Sequence, residues 1–301
     1  MPGGVCKLCG SAADLQLSHI LPAFAYRWLR DSSGTGHIRV SQDPNRRVQD
    51  GLKLHWLCVD CEQRFSRAED NFSSRLFHPY LKHSGGVFAY SEWLPYFCTS
   101  LSWRVLCYFR DVTGLSGWDA EESRQADQAE IVWRSYLLGE SKRLRSHFQH
   151  LLPLDRITEA TGDLATNLNR YLMRAVHMDI IRGPQANFTY SKLGRFVVIG
   201  QIAEPHPSPW KGTKVQAAHG CIEPRNYQLP GQMRAYWNQK AGEMRQKMAG
   251  LSPRQKQKID DAFRANVDRF VGSDSMQALL ADIEIHGDDA FSPVGPASNE
   301  A

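Results

Sequence analysis

Apolar residues recur at helical spacing through much of the chain. Phe24, Trp28 and Leu29 fall near one face of the segment 23–31, and Pro22 before them suits a first helical turn. Phe65, Phe72, Leu76 and Phe77 predict a second helix running from Glu62 and stopped by Pro79, its rings buried against the N-terminal unit. The stretch 92–109 has almost no polar face, with Trp93, Leu94, Phe97, Leu101, Val105, Leu106 and Phe109 spread around it. It reads as a buried core helix, because Pro95, Arg104 and interleaved Ser/Thr residues interrupt a run shorter than the roughly 20 apolar residues of a membrane span. Asp119-x-x-Glu122 matches a capping box opening a long helix through Val132, Trp133, Tyr136 and Leu137, which Gly139 ends. Arg143, Arg145, His147 and His150 read as a solvated continuation of it.

After Pro153 the pattern changes. Asn187 to Lys192 and Arg195 to Ile202 are rich in β-branched and aromatic residues and are divided by Leu193-Gly194, as in antiparallel strands. Leu168 to Ile181, closed by Arg182-Gly183-Pro184, fits a strand or a helix. Glu204 to Pro209 reads as a rigid turn, and segments at 214–215 and 221–229 as edge strands. Beyond Pro230 helical spacing returns. Ser252-Pro253 caps a helix whose stripe Ile259, Ala262, Phe263, Val267 and Phe270 reads as core. Residues 287–301 read as a disordered tail. The fold class expected is α+β, in the order N-terminal unit 1–85, helical region 86–153, α+β region with antiparallel strands and then basic helices 154–286, and tail.

Composition is that of an ordinary globular protein, with 42% hydrophobic and 23% charged residues. No secretory leader is legible behind Met1-Pro2-Gly3-Gly4, and a cytoplasmic location is expected. The formal charge of +4 does not by itself mark a nucleic-acid binder. Its distribution is more informative: Arg and Lys crowd 211–269, and from Gly272 onward there are Asp and Glu but no Lys or Arg. Such a surface either binds phosphate or neutralises itself against the acidic end. The chain contains no Walker loop, dinucleotide fingerprint or serine-nucleophile elbow.

Four of the seven cysteines form two knuckles, Cys6-x-x-Cys9 and Cys58-x-x-Cys61. In a reducing compartment such pairs read as one tetrahedral Zn²⁺ site with Zn–S bonds of about 2.3 Å, and Cys98, Cys107 and Cys221 read as small buried hydrophobes. Residues 10–57 separate the knuckles, far more than the roughly 15 to 20 residues of a compact zinc ribbon, so the interval must carry structure of its own. Its polar part, 37–51, reads as a loop or hairpin whose Arg39, Arg46 and Arg47 suit phosphate and make nucleic acid the expected partner.

Between the knuckles lies Leu17-Ser18-His19-Ile20-Leu21-Pro22, and spanning the second is Leu57-Cys58-Val59-Asp60-Cys61-Glu62. Together these resemble the HNH (His-Me finger, ββα-metal) endonucleases, in which a D/H/E-His-Ile-x-Pro strand supplies the catalytic histidine and an LCxxC-[HN] turn opens a helix carrying a metal ligand. The resemblance covers roughly the first quarter of the chain. It implies a zinc-stapled ββα (treble-clef/HNH-like) unit with His19 as general base and Ser18 and Glu62 at the ligand positions for a catalytic Mg²⁺ or Mn²⁺ beside the structural zinc. Asn45, Asp50 and His55 are candidate helpers. At Ser18 the chain departs from the family, since an alcohol is a weaker ligand for a hard dication than a carboxylate. The implied activity is phosphodiester hydrolysis, with DNA the favoured substrate and bacterial defence against mobile DNA a setting given by analogy. The alternative is a non-catalytic zinc module that binds nucleic acid or a partner protein, in which His19 is only a structural hydrogen-bonding residue.

Overall fold

The computed structural model describes residues 2–40, 43–159, 164–183, 186–203, 210–223 and 226–291. In chain order the elements are β1 (Gly3–Val5), β2 (Ala12–Asp14), β3 (Gln16–His19), α1 (Ala23–Asp31), β4 (Ile38–Val40), β5 (Asp43–Val48), β6 (Lys53–Leu57), α2 (Val59–Phe72), α3 (His78–Lys82), β7 (Phe88–Tyr90), α4 (Trp93–Tyr108) and α5 (Ala120–Leu138). They continue with β8 (Gln149–Pro153), α6 (Leu168–Arg174), β9 (Val176–Ile181), β10 (Asn187–Leu193), β11 (Phe196–Ala203), β12 (Gly220–Ile222), α7 (Gly231–Ala249), α8 (Pro253–Ala265), α9 (Val267–Val271) and α10 (Asp274–His286). The chain divides into two compact units, each drawn from three stretches. The first comprises Met1–Phe24, Gly51–Pro153 and His177–Pro230, and the second Ala25–Asp50, Leu154–Val176 and Gly231–Ala301.

The first unit is built on a four-stranded sheet in the order β8-β11-β10-β9. Gly194, with φ at 57°, makes the tight turn that pairs Leu193 with Phe196 and sets the antiparallel register of β10 and β11. Every residue of β10 is buried, so both faces of that strand are covered. Helices α4 and α5 pack against β11. The approach of α4 is close enough that a Cβ on Gly200 would stand within 2.7 Å of Thr189 Oγ1 and nearer still to Ser102.

Helix α4 is the core helix its sequence announced, with Leu94, Phe97, Leu101, Trp103, Val105 and Leu106 fully buried. Phe72 stacks on Phe97 with ring centroids 4.1 Å apart and meets Phe196 edge-on at 5.4 Å. Phe65 instead packs with Trp103 and the knuckle cysteines. Capping box and stop signal both hold for α5: Asp119 accepts from the Glu122 N–H at 2.8 Å, Glu122 accepts from the Asp119 N–H at 3.0 Å, and Gly139 closes the helix at φ 81°.

The second unit packs α6, α7 and α10 around Leu168, Tyr171, Leu172 and Ala241. Fully buried Asp282 of α10 accepts from the Asn169 N–H and the Arg170 Nε, each at 2.8 Å, tying α10 to the first turn of α6. Strands β4 and β5 form a hairpin in the expected polar insertion.

Several sequence expectations are corrected. Pro79 does not end the helical path: a π turn over Ser73–Phe77 leads on into α3, with Pro79 in the first turn of that helix. His147 and His150 do not decorate a solvated helix: both are buried, and His150 lies on central-sheet strand β8. Both readings of 168–181 apply, since a short helix gives way to a strand at Ala175. Asn266 breaks the Ile259 to Phe270 stripe, and Phe263 and Val267 stay 38% and 41% exposed, so the stripe is not core. Cys221 is exposed, unlike buried Cys98 and Cys107. Residues 287–290 form a short 3-10 helix, whereas 292–301, the turn expected at 204–209 and Pro184 lie outside the described residues. Among the described residues no helix is long and apolar enough to cross a membrane.

Candidate metal centre and adjoining carboxylate cluster

The first knuckle is the turn between β1 and β2. Gly10, at φ 78°, lets its own N–H bond the Cys6 carbonyl at 2.8 Å while the Cys6 N–H reaches the Ser11 carbonyl at 2.9 Å, and the loop curls so that both sulfurs face inward. A bond from the Lys7 N–H to the Trp56 carbonyl, 2.8 Å, stitches this turn to β6. The second knuckle opens α2, with Cys58 at the N-cap and Cys61 in the first turn.

The four sulfurs of Cys6, Cys9, Cys58 and Cys61 lie within 4.8 Å of one another, and Cys9 Sγ stands 3.8 Å from Cys58 Sγ. A tetrahedron with bonds of about 2.3 Å has edges of about 3.8 Å, which the Cys9–Cys58 pair matches, and the four thiols are near enough together to hold an ion such as Zn²⁺. It is the metal-ligating cluster found among the described residues. Burial, reinforced by the neighbouring sulfurs, pushes the Cys61 thiol well up, and burial raises Cys58 too. Burial also opposes ionisation of Cys9, but hydrogen bonds from Ser11, Cys6 and Cys61 outweigh it and bring that thiol down to about 6. Four crowded thiols resist ionising together without a cation; a divalent ion removes that resistance.

Closing the knuckles also positions the start of α2 against β3. Strand β3 pairs antiparallel with β6, so that Ser18 opposes Leu54 and His19 opposes Lys53, and α2 continues directly from β6. Ser18 is 2% exposed and donates to Glu62 Oε2 at 2.5 Å. Glu69 lies seven residues further along α2, close to two turns and therefore on the same face. Its carboxylate receives Arg104 Nη1 at 2.8 Å, and the same nitrogen donates to the His19 carbonyl at 2.8 Å. Arg104 Nε reaches the Ser100 carbonyl, its guanidinium stands 5.3 Å from the Phe65 ring centroid, and its Nη2 is buried without a hydrogen-bond partner. Burial raises the Glu69 pKa; Arg104 and His19 pull it down and Glu62 pushes it further up, which puts all four groups in one electrostatic neighbourhood.

His19, Ser18 and Glu62 are thus brought together, joined by Glu69 and Arg104. The partner of Glu69 is a buried arginine from another helix, α4. Arg104 itself carries a signal, a charge inside a stretch with no polar face, which in a folded protein means a paired partner. The proposed helpers have partners of their own. His55 Nδ1 contacts the Leu15 carbonyl at 3.1 Å, and Asn45 and Asp50 belong to the second unit, where Asn45 bonds Gly250 and Ser252. Of the arginines proposed for phosphate, Arg39 and Arg47 are register partners, and Arg46 alternates to the opposite face of β5.

No protein-family model, curated protein or solved structure matches the chain.

Proposed function

We propose that the β3–β6–α2 unit is an HNH-like, metal-dependent nuclease site that hydrolyses phosphodiester bonds, stapled by structural Zn²⁺ at Cys6, Cys9, Cys58 and Cys61. The observation that carries this reading is the 2.5 Å contact between Ser18 and Glu62, because it joins the two positions that the family resemblance assigns to the catalytic ion. Both offer hard oxygen donors of the kind Mg²⁺ and Mn²⁺ prefer. An ion held there supplies Lewis-acid stabilisation of the leaving oxygen. In this reading His19, at the end of β3, takes the proton from the attacking water, and the bond from Arg104 to its carbonyl keeps its backbone in place.

Plasmid nicking tests the reading. Purified protein with Mg²⁺ or Mn²⁺ is expected to convert supercoiled to open-circular DNA, and His19→Ala and Glu62→Gln to abolish conversion while zinc content and far-UV circular dichroism stay unchanged. Equal nicking by wild type and His19→Ala removes this residue from the chemistry.

One observation favours the non-catalytic alternative: the Glu69 carboxylate on the same face of α2 is already neutralised by buried Arg104. A zinc module of that kind binds nucleic acid or a protein partner and leaves DNA intact under the same conditions.

A further inference from the structure

The β4–β5 hairpin places cations where a strand pair ordinarily avoids them. Arg39 and Arg47 are direct cross-strand partners, a like-charge pairing that disfavours the hairpin unless an anion is shared between them. Arg39 is held by neutral acceptors, the Pro44 carbonyl at 2.8 Å and the Gln255 amide oxygen at 3.1 Å. Arg47 Nε is buried and has no hydrogen-bond partner. Gln255 thus faces the hairpin from α8, and Lys258, one turn further along, shares that face.

Asn45 holds the arrangement together, accepting from the Ser252 N–H at 2.9 Å and donating to the Gly250 carbonyl at 3.2 Å. Among the described residues none of Arg39, Arg47 and Lys258 forms an ion pair. Of the acids on these two elements, Asp43 accepts from the Asn45 N–H, Asp261 is bound by Gln257, and Asp260 lies beyond Lys258 on α8. His37 is the titratable group facing the cluster, its ring against the Gln49 amide at 3.1 Å. Burial lowers its pKa first, and then Arg47, Arg39 and Lys258, so every charge acting on it is a cation.

We propose that this surface, Arg39 and Arg47 on the hairpin with Lys258 on α8, binds the phosphodiester backbone of a nucleic acid, separately from any hydrolytic site. A phosphate oxygen shared between the two guanidinium groups relieves the Arg39–Arg47 repulsion. Exposed Arg254, one turn before Lys258, continues the row along α8, and four residues of helix rise separate them by about 6 Å. A row of cations suits a repeating polyanion better than a lone phosphate, and such contacts carry position rather than sequence. The assignment does not depend on the nuclease reading.

The test is fluorescence anisotropy of the full-length protein on a labelled 20-base-pair duplex DNA, without added Mg²⁺ or Mn²⁺, across a salt series. Arg47→Gln and Lys258→Gln are each expected to lessen the slope of log affinity against log salt by about 0.9, and the double variant by about twice that. Arg46→Gln, on the other face of β5, is expected to leave it nearly unchanged. Lys258 is exposed, so its variant retains the fold whatever Arg47→Gln does. A slope unaltered in the double variant, or lowered equally by Arg46→Gln, overturns the assignment. So does displacement of the duplex by inorganic phosphate at matched ionic strength, which identifies a site for free phosphate. Because only binding is measured, loss of nicking in the plasmid experiment leaves this result untouched.

Discussion

Replacing Arg104 by Met keeps most of the side-chain volume beside Phe65 and removes the charge. The cost derives from the two bonds Arg104 makes, to the Glu69 carboxylate and the His19 carbonyl, both 2.8 Å long, from a side chain only 4% exposed. Charge-assisted hydrogen bonds contribute about 1.5–3 kcal/mol each, and breaking one half of a buried ion pair costs about 3–5 kcal/mol in all, because Glu69 is left facing a low-dielectric pocket. Glu69 is raised above its ordinary pKa by burial even with Arg104 present. Its folded pKa lies above the unfolded one, so the acid form suits the fold, and the stability it contributes is lost as pH rises through the folded value. Arg104→Met removes the group opposing that shift, so its destabilisation should shrink as pH is lowered from 7 toward 5. The assay is urea unfolding at both pH values in a double-mutant cycle with Glu69→Gln. A coupling energy of about 1–3 kcal/mol at pH 7 is expected for groups in direct contact. Coupling below about 0.5 kcal/mol, or a cost for Arg104→Met that does not change with pH, refutes the buried-pair account.

Two further outcomes are expected. Metal analysis should find about one zinc per chain, and Cys61→Ser or chelation should release it and unfold the first unit as read by tryptophan fluorescence, since zinc bound only by the folded state contributes directly to folding; full helicity and an unchanged melt without zinc would contradict this. Burial depresses His150 to about 4 from an unfolded value near 6.5, so its share of stability is complete above pH 6.5 and is lost as pH falls toward 4, an upper limit of about 3 kcal/mol from linkage. His150→Gln should flatten that part of the stability profile, and an unaltered acid limb in the variant would place the loss on other groups.

Much of this molecule was legible along the chain. The two CxxC spacings named the four sulfurs, the apolar run around Leu101 named the core helix, Asp119 and Glu122 named a helix start, and Leu193-Gly194 named a hairpin. Each is a local signal, in which the atoms that interact lie within a few residues or repeat at a helix or strand period. Tertiary structure decided what depends on distant partners. Arg104 meets Glu69 and His19 only because α4 lies against α2, and Lys258 joins Arg39 and Arg47 only because α8 packs beside a hairpin some two hundred residues earlier, as the Arg39–Gln255 bond at a separation of 216 residues records. The two units likewise interleave three stretches apiece. Periodicity tells a residue which way to face, but it carries no information about which other face will be there, and the charge of a buried group takes its meaning from that neighbour.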